Sequence, residues 1–411
     1  MPVPALRSAA LLCLFLTAAP AVSEDAANLV EALRQAGLQE VRAVPVRGNG
    51  ALVNVEGVLP GKTADEIVLS AASGDASGCA AVISAAADLR RTPLRHTVRV
   101  VLFGGESGGG MAGWLRNLGP GAEERILAHL NLERVGRQGS AGPVIEGSPA
   151  MPPGWLVHSV LKSGEAVAWP FAVADNRFPL LAQLVVRSVE VRNGPDSEPF
   201  LRRGIPSVSL SDGSLTDAAR HEPDARRLDR WTQAAAAAVR RLDALAGRPL
   251  PEDQYLAVAG RVWLRRDLIW LGFLPWVLLV FRGRPGRWRG TPADQQNRQM
   301  RSYLPGFLFR GLLLLAIFLA PVFAVLLLPA AALALAPPRL WRPWIWIPLG
   351  LLPLVFYLAA VGVGLVNGIV SLDGGFRGGG AAALLIPATL VAYVLMIARG
   401  RERLPQLPVG D

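Results

Sequence analysis

Four side chains of this sequence could do chemistry together. The stretch LSAASGDASGCAAV (residues 69–82) holds Asp75, and VVLFGGESGGG (residues 100–110) holds Glu106. Glu133 follows in HLNLERVGR, and His221 in RHEPDARRLDRW. Carboxylates and imidazoles bind divalent metal ions, and a carboxylate beside a metal-bound water can act as a general base. The pattern indicates metal-assisted hydrolysis, but each glycine-rich turn holds one acid and no histidine, which is few for a metal centre.

The elements that would position these residues alternate between strand and helix signals over residues 24–250. Strand-like runs end in glycine or small residues, and the runs between them have helical apolar spacing. This alternation predicts an α/β fold, a three-layer sandwich around a mostly parallel, mixed sheet. Binding sites in such sheets lie where the parallel strands end. The strand-like runs are EIVLSA, HTVRVVLFGG and GIPSVSLSD, and the helical ones are EDAANLVEALRQAGL, SGCAAVISAAADLRR and DRWTQAAAAAVRRLDALAG.

From about Asn54 to Trp231 the sequence resembles the zinc-dependent aminopeptidases of peptidase family M28. Six motifs carry the resemblance in the family's order: NVEGVLPGKTADEIVLSA, DASGCAAV, HTVRVVLFGGES, HLNLERVGR, PDSEPFLRRGIPSVSLSDG and RHEPDARRLDRW. The resemblance implies the zinc aminopeptidase fold. It also implies a centre of two zinc ions that activate a water molecule, with a glutamate as the general base.

The resemblance carries only part of that centre over to this chain. Glu106 matches the general base, Glu133 stands at an aspartate ligand, and His221 matches the last histidine ligand. Asp75 matches a position beside the site that is not a ligand in the family.

The remaining ligand positions are lost. The family's first histidine and the loop behind it are missing here, and Ser73 and Gly74 stand at the acidic pair that holds the bridging aspartate. Ser107 replaces the second glutamate. The residues left could hold one zinc ion, with help from Asp75, but not two. We therefore expect no cofactor, with zinc bound only if the site is functional.

Each candidate also has an ordinary structural alternative. Glu106 could be a loop acid, Glu133 could pair with Arg134 or Arg137, and His221 could be a surface histidine. The other three histidines, at positions 96, 129 and 158, do not fall on ligand positions and are expected to be surface or core residues.

The ends of the chain predict export and membrane attachment. Residues 1–23 have the charge, apolar core and small residues of a signal peptide. Residues 251–411 predict an all-α transmembrane region of about four helices, at 263–281, 305–335, 344–366 and 380–398. The domain at residues 24–250 would then lie on the periplasmic or extracellular side of the cell membrane, together with the following residues to 255. The net charge of +10 comes almost wholly from arginines that flank apolar runs, which favours membrane lipid over nucleic acid as a partner.

Arginine positions also predict how the chain crosses the membrane. The loop 282–303 has six arginines and one acid, so it is expected in the cytoplasm. Four crossings then place PPRLWRPW outside, NGIVSLDGGFRGGG inside and the tail outside, although the tail carries three arginines. A miscounted first or second helix would remove this conflict.

Three functions remain open at this point. The first is a membrane-anchored, catalytically degenerate M28-like protein that binds peptides or another envelope protein. The second is an active zinc aminopeptidase with an altered site. The third is a membrane protein that uses the exported domain as a sensor. The lost ligands favour the first over the second, and the scarcity of polar groups in the apolar runs weakens the third.

Overall fold

The computed structural model describes the chain in two compact units, with gaps. The first unit comprises residues 1–179, 193–253 and 257–262, and the second comprises 180–192, 254–256 and 263–411. The structure describes residues 22–46, 52–105, 109–145, 151–172, 183–185, 190–191, 197–212, 222–247, 249, 255–258, 261–282, 311, 314–315, 317–318, 322, 352, 355–363, 365 and 370–371.

A seven-stranded mixed sheet forms the centre of the first unit. Four parallel strands lie in its middle in the order β4-β3-β5-β8, with β2 and then β1 beside β4 and with β6 beside β8. The three outer strands are antiparallel to their neighbours. The predicted α/β fold with a large mixed sheet is therefore confirmed. The strands are β1 (Gln39–Pro45), β2 (Val53–Leu59), β3 (Thr63–Ala72), β4 (His96–Phe103), β5 (Ile126–Glu133), β6 (Ala141–Val144) and β8 (Ser207–Asp212).

Helices cover both faces of this sheet. On one face α2 packs against α7, and α7 packs against α5. On the other face α3 and α6 pack over an apolar cluster that includes Val68, Val101 and Phe103. Because both faces of the central strands are covered, β5 and β8 are buried along almost their whole length. The helices are α1 (Val22–Gln35), α2 (Ala76–Leu89), α3 (Gly109–Asn117), α4 (Ala122–Arg125), α5 (Gly154–Ala166), α6 (Glu198–Arg202) and α7 (Ala225–Asp243).

Polar side chains interrupt the apolar run on three neighbouring parallel strands. Ser70 of β3 lies 2.7 Å from Nε2 of His129 on β5, and Nδ1 of His129 lies 2.6 Å from Oγ of Ser207 on β8. Ser70 also donates to Oδ1 of Asn131, and Asn131 donates to Ser209 of β8. All five side chains are buried. We call this set the polar seam; it satisfies its own hydrogen bonds and so fixes how the three strands lie beside one another.

His129 is held neutral inside the polar seam. Since the hydroxyl of Ser70 donates to Asn131, its oxygen accepts from His129 Nε2–H, and His129 Nδ1 accepts from Ser207. The imidazole stacks on Phe200 of α6 at 3.7 Å between ring centroids, and Phe103 meets it edge-on. Burial lowers the pKa of His129 to about 3. The expectation that His129 is a surface or core residue is resolved in favour of the core.

The second unit contains short elements and one long described helix. They are β7 (Glu190–Val191), α8 (Arg265–Arg282) and β11 (Val370–Ser371), and a two-stranded sheet of β9 (Leu256–Val258) and β10 (Arg261–Trp263) precedes α8 in the chain. Within the described parts of the chain, no helix has both the length and the apolar character needed to cross a membrane.

Much of the predicted signal peptide and of the predicted transmembrane helices falls outside the residues that the structure describes. Residues 1–21 of the predicted signal peptide and the whole predicted helix 380–398 lie outside them. The predicted helix 263–281 coincides with α8. Of the predicted helices 305–335 and 344–366, the described positions are almost all helical.

The burial of His129 predicts how the stability of the sheet depends on pH. The unfolded imidazole has a pKa near 6.5, so between about pH 6.5 and pH 3 the unfolded chain binds a proton that the folded chain excludes. The contribution of His129 to the free energy of unfolding is therefore complete above pH 6.5, and it is lost as the pH drops. This one group should account for about 2 kcal/mol of the loss between pH 6.5 and pH 4.5.

Hydrogen exchange of peptides from β3, β5 and β8 in the full chain measures this loss. His129→Gln keeps a donor and an acceptor but cannot be protonated, so its opening free energy should depend less on pH. His158→Gln is the matched control, because His158 is only half-buried on α5. Equal pH dependence in the wild type and His129→Gln would contradict the assignment.

Candidate functional site

The four predicted site residues belong to the connections that leave the four parallel strands. Asp75 lies between β3 and α2, and Glu133 is the last residue of β5. Glu106 and His221 lie outside the described residues; in the chain they follow the ends of β4 and β8. Asp75 and Glu133 therefore belong to the sheet edge where ligands bind in such folds.

Asp75 holds two neighbouring strand exits together. Its Oδ2 accepts a hydrogen bond of 2.6 Å from the backbone N–H of Arg134, directly after β5. Its Oδ1 accepts one of 2.7 Å from the hydroxyl of Ser77, in the first turn of α2. Both carboxylate oxygens are thus engaged by protein donors. A metal ion at Asp75 would have to compete with these bonds.

The local backbone is shaped for this contact. Arg134 has a φ of 52°, a left-handed conformation that is uncommon for a side chain other than glycine. On the other side, a Cβ on Gly78 would lie 2.7 Å from Asp75 Oδ2 and 2.8 Å from the carbonyl oxygen of Leu132. Only glycine lets α2 approach the end of β5 this closely. The ASG sequence after Asp75 is thus explained by packing.

Cys79 lies on α2 next to this contact. Its side chain is buried, and its Sγ lies 3.2 Å from the carbonyl oxygen of Ala72. Burial, with a smaller effect from the carboxylate of Asp75, raises the pKa of the Cys79 thiol far above its usual range. The thiol is therefore a small packing group and not a nucleophile.

Asp212 is a second carboxylate at the same edge, and sequence reasoning missed it. It ends β8 and is fully buried. Its Oδ2 accepts from the backbone N–H of Arg137 (2.9 Å) and from Nε1 of Trp231 (2.6 Å), and Arg227 donates to Oδ1. Burial raises the pKa of Asp212, while the bonds from Arg227 and Trp231 oppose that shift. The available signal was an acid at the end of a strand of alternating serine and apolar residues, followed by an arginine and a tryptophan four residues apart on a later helix.

Asn54 fixes the two ends of the loop that contains Glu106. Its Oδ1 accepts from the backbone N–H of Gly104, and its Nδ2 donates to the carbonyl oxygen of Gly110, each at 2.9 Å. Asn54 is buried on β2. A Cβ on Gly110 would lie 2.4 Å from the carbonyl oxygen of Gly104, so the loop ends approach each other as closely as glycine allows. The glycines around Glu106 therefore have a structural reason of their own.

Glu133 is the other candidate residue that the structure describes. It lies half-buried at the end of β5, in register with Ser211 of β8. Among the residues that the structure describes, no three histidine, cysteine, aspartate or glutamate side chains come together to hold a metal ion. The described part of the edge is instead joined by carboxylates that bind backbone N–H groups, Asp75 to Arg134 and Asp212 to Arg137. This donor set fits direct hydrogen bonding better than a two-zinc centre.

The comparisons with known proteins find one family whose model matches residues 54–245. That model is the one of peptidase family M28, so this part of the chain is similar to the M28 peptidases. No curated protein matches the sequence.

Several solved structures are similar to the chain at low identity. They include BSAP, a zinc aminopeptidase from Bacillus subtilis, with 17% identity, 46% of this chain and 49% of that chain covered, and a TM-score of 0.35. The Legionella pneumophila LapA aminopeptidase has 12% identity, coverages of 60% and 70%, and a TM-score of 0.44. Porphyromonas gingivalis glutaminyl cyclase has 15% identity, coverages of 58% and 96%, and a TM-score of 0.40. The chain spans about half the length of the first of these.

Replacing Asp75 tests whether its carboxylate is structural. In Asp75→Asn, an amide N–H₂ must face either the Arg134 N–H or the Ser77 hydroxyl, so one donor loses its acceptor. We expect the opening free energy of the β5 exit to fall by about 1–3 kcal/mol. Hydrogen exchange of the peptide around residues 130–138 measures it.

The matched control is Asp229→Asn, at the surface of α7, where the carboxylate accepts from Gln233. It should leave the β5 exit unchanged. Zinc or a chelator should alter neither protein. Zinc-dependent protection that disappears in Asp75→Asn would instead identify Asp75 as a ligand.

Proposed function

We propose that this protein is a membrane-anchored, exported M28 peptidase-like protein that does not hydrolyse peptides and instead binds a peptide or another envelope protein. The observation that carries the proposal is the pair of direct bonds from Asp75 and Asp212 to the backbone after β5. They tie the strand exits together without a cation, at the edge where a metal centre would have to assemble.

The chemistry of zinc supports the same proposal. A catalytic zinc ion takes about three protein ligands and keeps one position open for water. Two ions would need more ligands than Glu133 and His221 provide, even with Asp75 added. A general base such as Glu106 is useful only beside a metal-bound water. With the ligands gone, Glu106 loses the group that it would activate.

An active zinc aminopeptidase with an altered site is the second candidate. The observation in its favour is the position of Glu133, half-buried at the exit of the central strand β5. His221 follows the neighbouring strand β8 in the chain. Together with a water molecule and one further group, they could hold a single zinc ion near Glu106. This site would lack the second ion of the family.

Membrane lipid is the proposed partner of the second unit. The large apolar side chains that are exposed in the described residues all belong to this unit. Exposed apolar patches of this kind mark interaction surfaces, and tryptophan favours the membrane–water interface. The residues are Trp263, Trp270, Leu315, Phe318, Leu352, Val355, Phe356, Leu358 and Val363.

Zinc content and activity of the purified full chain separate the two candidates. We expect less than one tightly bound zinc per chain after mild dialysis, and no release of amino acids from amides or anilides. Glu106→Gln should change neither result, because Glu106 then has no metal-bound water to act on.

A zinc-dependent peptidase activity would contradict the first candidate. Activity that zinc restores and Glu106→Gln abolishes would establish the second candidate. Glu165→Gln is the control for a lost carboxylate, since Glu165 lies at the surface on α5 and binds Lys162.

A further inference from the structure

Exposed basic side chains crowd one end of the first unit, where the parallel strands begin. Lys62 precedes β3, and the loop between α2 and β4 carries Arg90, Arg91 and Arg95; all four are exposed. Hydrogen bonds join these two segments, because the backbone N–H groups of Lys62 and Thr63 both donate to the carbonyl oxygen of Arg95 at 2.8 Å. We call this end of the unit the basic pole.

The last turn of α7 also belongs to the basic pole. The carboxylate of Asp243 accepts hydrogen bonds from the backbone N–H groups of Arg95 (3.0 Å) and His96 (2.6 Å). Arg240 donates to the carboxylate of Asp88, near the end of α2, at 2.6 Å. Both carboxylates thus have partners inside the unit, and they anchor the segments that carry the exposed bases.

The two ends of the sheet differ in charge. Residues 62–65, 88–95 and 240–243 of the basic pole hold six lysines and arginines against three aspartates. The described segments of the opposite edge hold five arginines against six acids. β3 has ten residues, so the two ends lie about 30 Å apart, well beyond a Debye length of about 8 Å. The segments counted at the opposite edge are residues 75, 133–137, 212 and 222–230.

The side chains of the basic pole suit anionic phosphate groups better than a protein surface. Guanidinium groups bind phosphate oxygens through two parallel hydrogen bonds. Protein partners are held mainly by buried aromatic and apolar anchors. Every large apolar side chain that is exposed in the described residues belongs to the second unit. The basic pole therefore offers charge without such anchors, which is how basic segments bind the headgroups of anionic lipids.

The chain also leaves α7 at the basic pole. α7 ends at Asp243, and Nε2 of His96 lies 2.9 Å from the carbonyl oxygen of Leu245. The residues after α7 are thus held against the start of β4. The chain that continues toward residues 251–411, where the sequence predicts membrane attachment, starts from this end of the sheet and not from the opposite edge.

We propose that the basic pole docks on a membrane surface that carries anionic phospholipids, with the exits of the parallel strands facing away from the lipid. The inference deepens the proposed function and rests on the membrane attachment proposed above. It requires no particular helix to cross the membrane. The edge that would receive a peptide or another envelope protein then lies about 30 Å from the headgroups, where it meets partners from the aqueous phase.

A fluorophore at the basic pole reports on this docking. The full chain has two cysteines, and Cys79 is buried, so Ala64→Cys can be labelled alone in a Cys13→Ser background. Ala64 is exposed at the start of β3. The chain is reconstituted with vesicles of phosphatidylcholine, without or with phosphatidylglycerol, whose headgroups carry a nitroxide quencher. We expect quenching that requires phosphatidylglycerol and is lost in about 0.5 M salt, where the Debye length is about 4 Å.

Position and charge each have a matched control. Ser140→Cys carries the same label on an exposed residue directly before β6, at the opposite edge, and should not be quenched. Arg91→Gln with Arg95→Gln should shift the equilibrium about 25-fold toward the undocked state, since each basic residue near an anionic surface contributes about fivefold. Arg226→Gln with Arg230→Gln removes two exposed charges from the other end of α7 and should leave the quenching unchanged.

Three results overturn the inference: equal quenching of the two labels, equal quenching without phosphatidylglycerol, or quenching that Arg91→Gln with Arg95→Gln does not reduce. A label at position 64 that ignores lipid but responds to poly-glutamate assigns the basic pole to an acidic protein segment, which also overturns it.

Flotation of the same vesicles reports separately on the membrane attachment. A chain that floats only with phosphatidylglycerol contradicts attachment through the second unit and leaves the docking of the basic pole standing. A chain that floats with both kinds of vesicle, without quenching at position 64, contradicts the docking alone. A chain that floats with neither contradicts both.

Discussion

The hydrogen bond from the backbone N–H of Arg134 to Asp75 joins the exits of β3 and β5, and the proposed function depends on it. In a parallel sheet the strand exits carry the binding loops, and something must hold those loops at fixed spacing. A metal ion can do this by drawing ligands from several exits. Here a carboxylate does it through the backbone, with Asp212 doing the same for the next exit. These two hydrogen bonds join the described strand exits directly, from carboxylate to backbone.

The polar seam places the strands that carry this edge. A buried polar group without a partner costs roughly 1–3 kcal/mol, so a shift of β5 against β3 or β8 would break several bonds of the seam at once. An apolar core alone would tolerate such a shift better. The position of Arg134 opposite Asp75 is therefore set several residues earlier, by His129 and Asn131. The two sets of contacts form one constraint along β5.

How much could be predicted from the sequence depended on how local the signal was. Apolar periodicity and small residues placed β3, α2, β4 and α7 within a few residues of their bounds, because burial on a sheet or helix face leaves a regular pattern. Asp75 was identified, but its partners were not, since a backbone N–H leaves no trace in a sequence. His129 was expected to be an ordinary residue, because hydrogen bonds between side chains on three strands depend on register. Asp212 was missed for the same reason.

The pairing of β7 with β11 was beyond sequence analysis for a further reason. A two-residue ladder has no apolar pattern of its own, and its strands lie about 180 residues apart in the chain. Such a ladder contributes only about 0.5–1.5 kcal/mol per hydrogen bond.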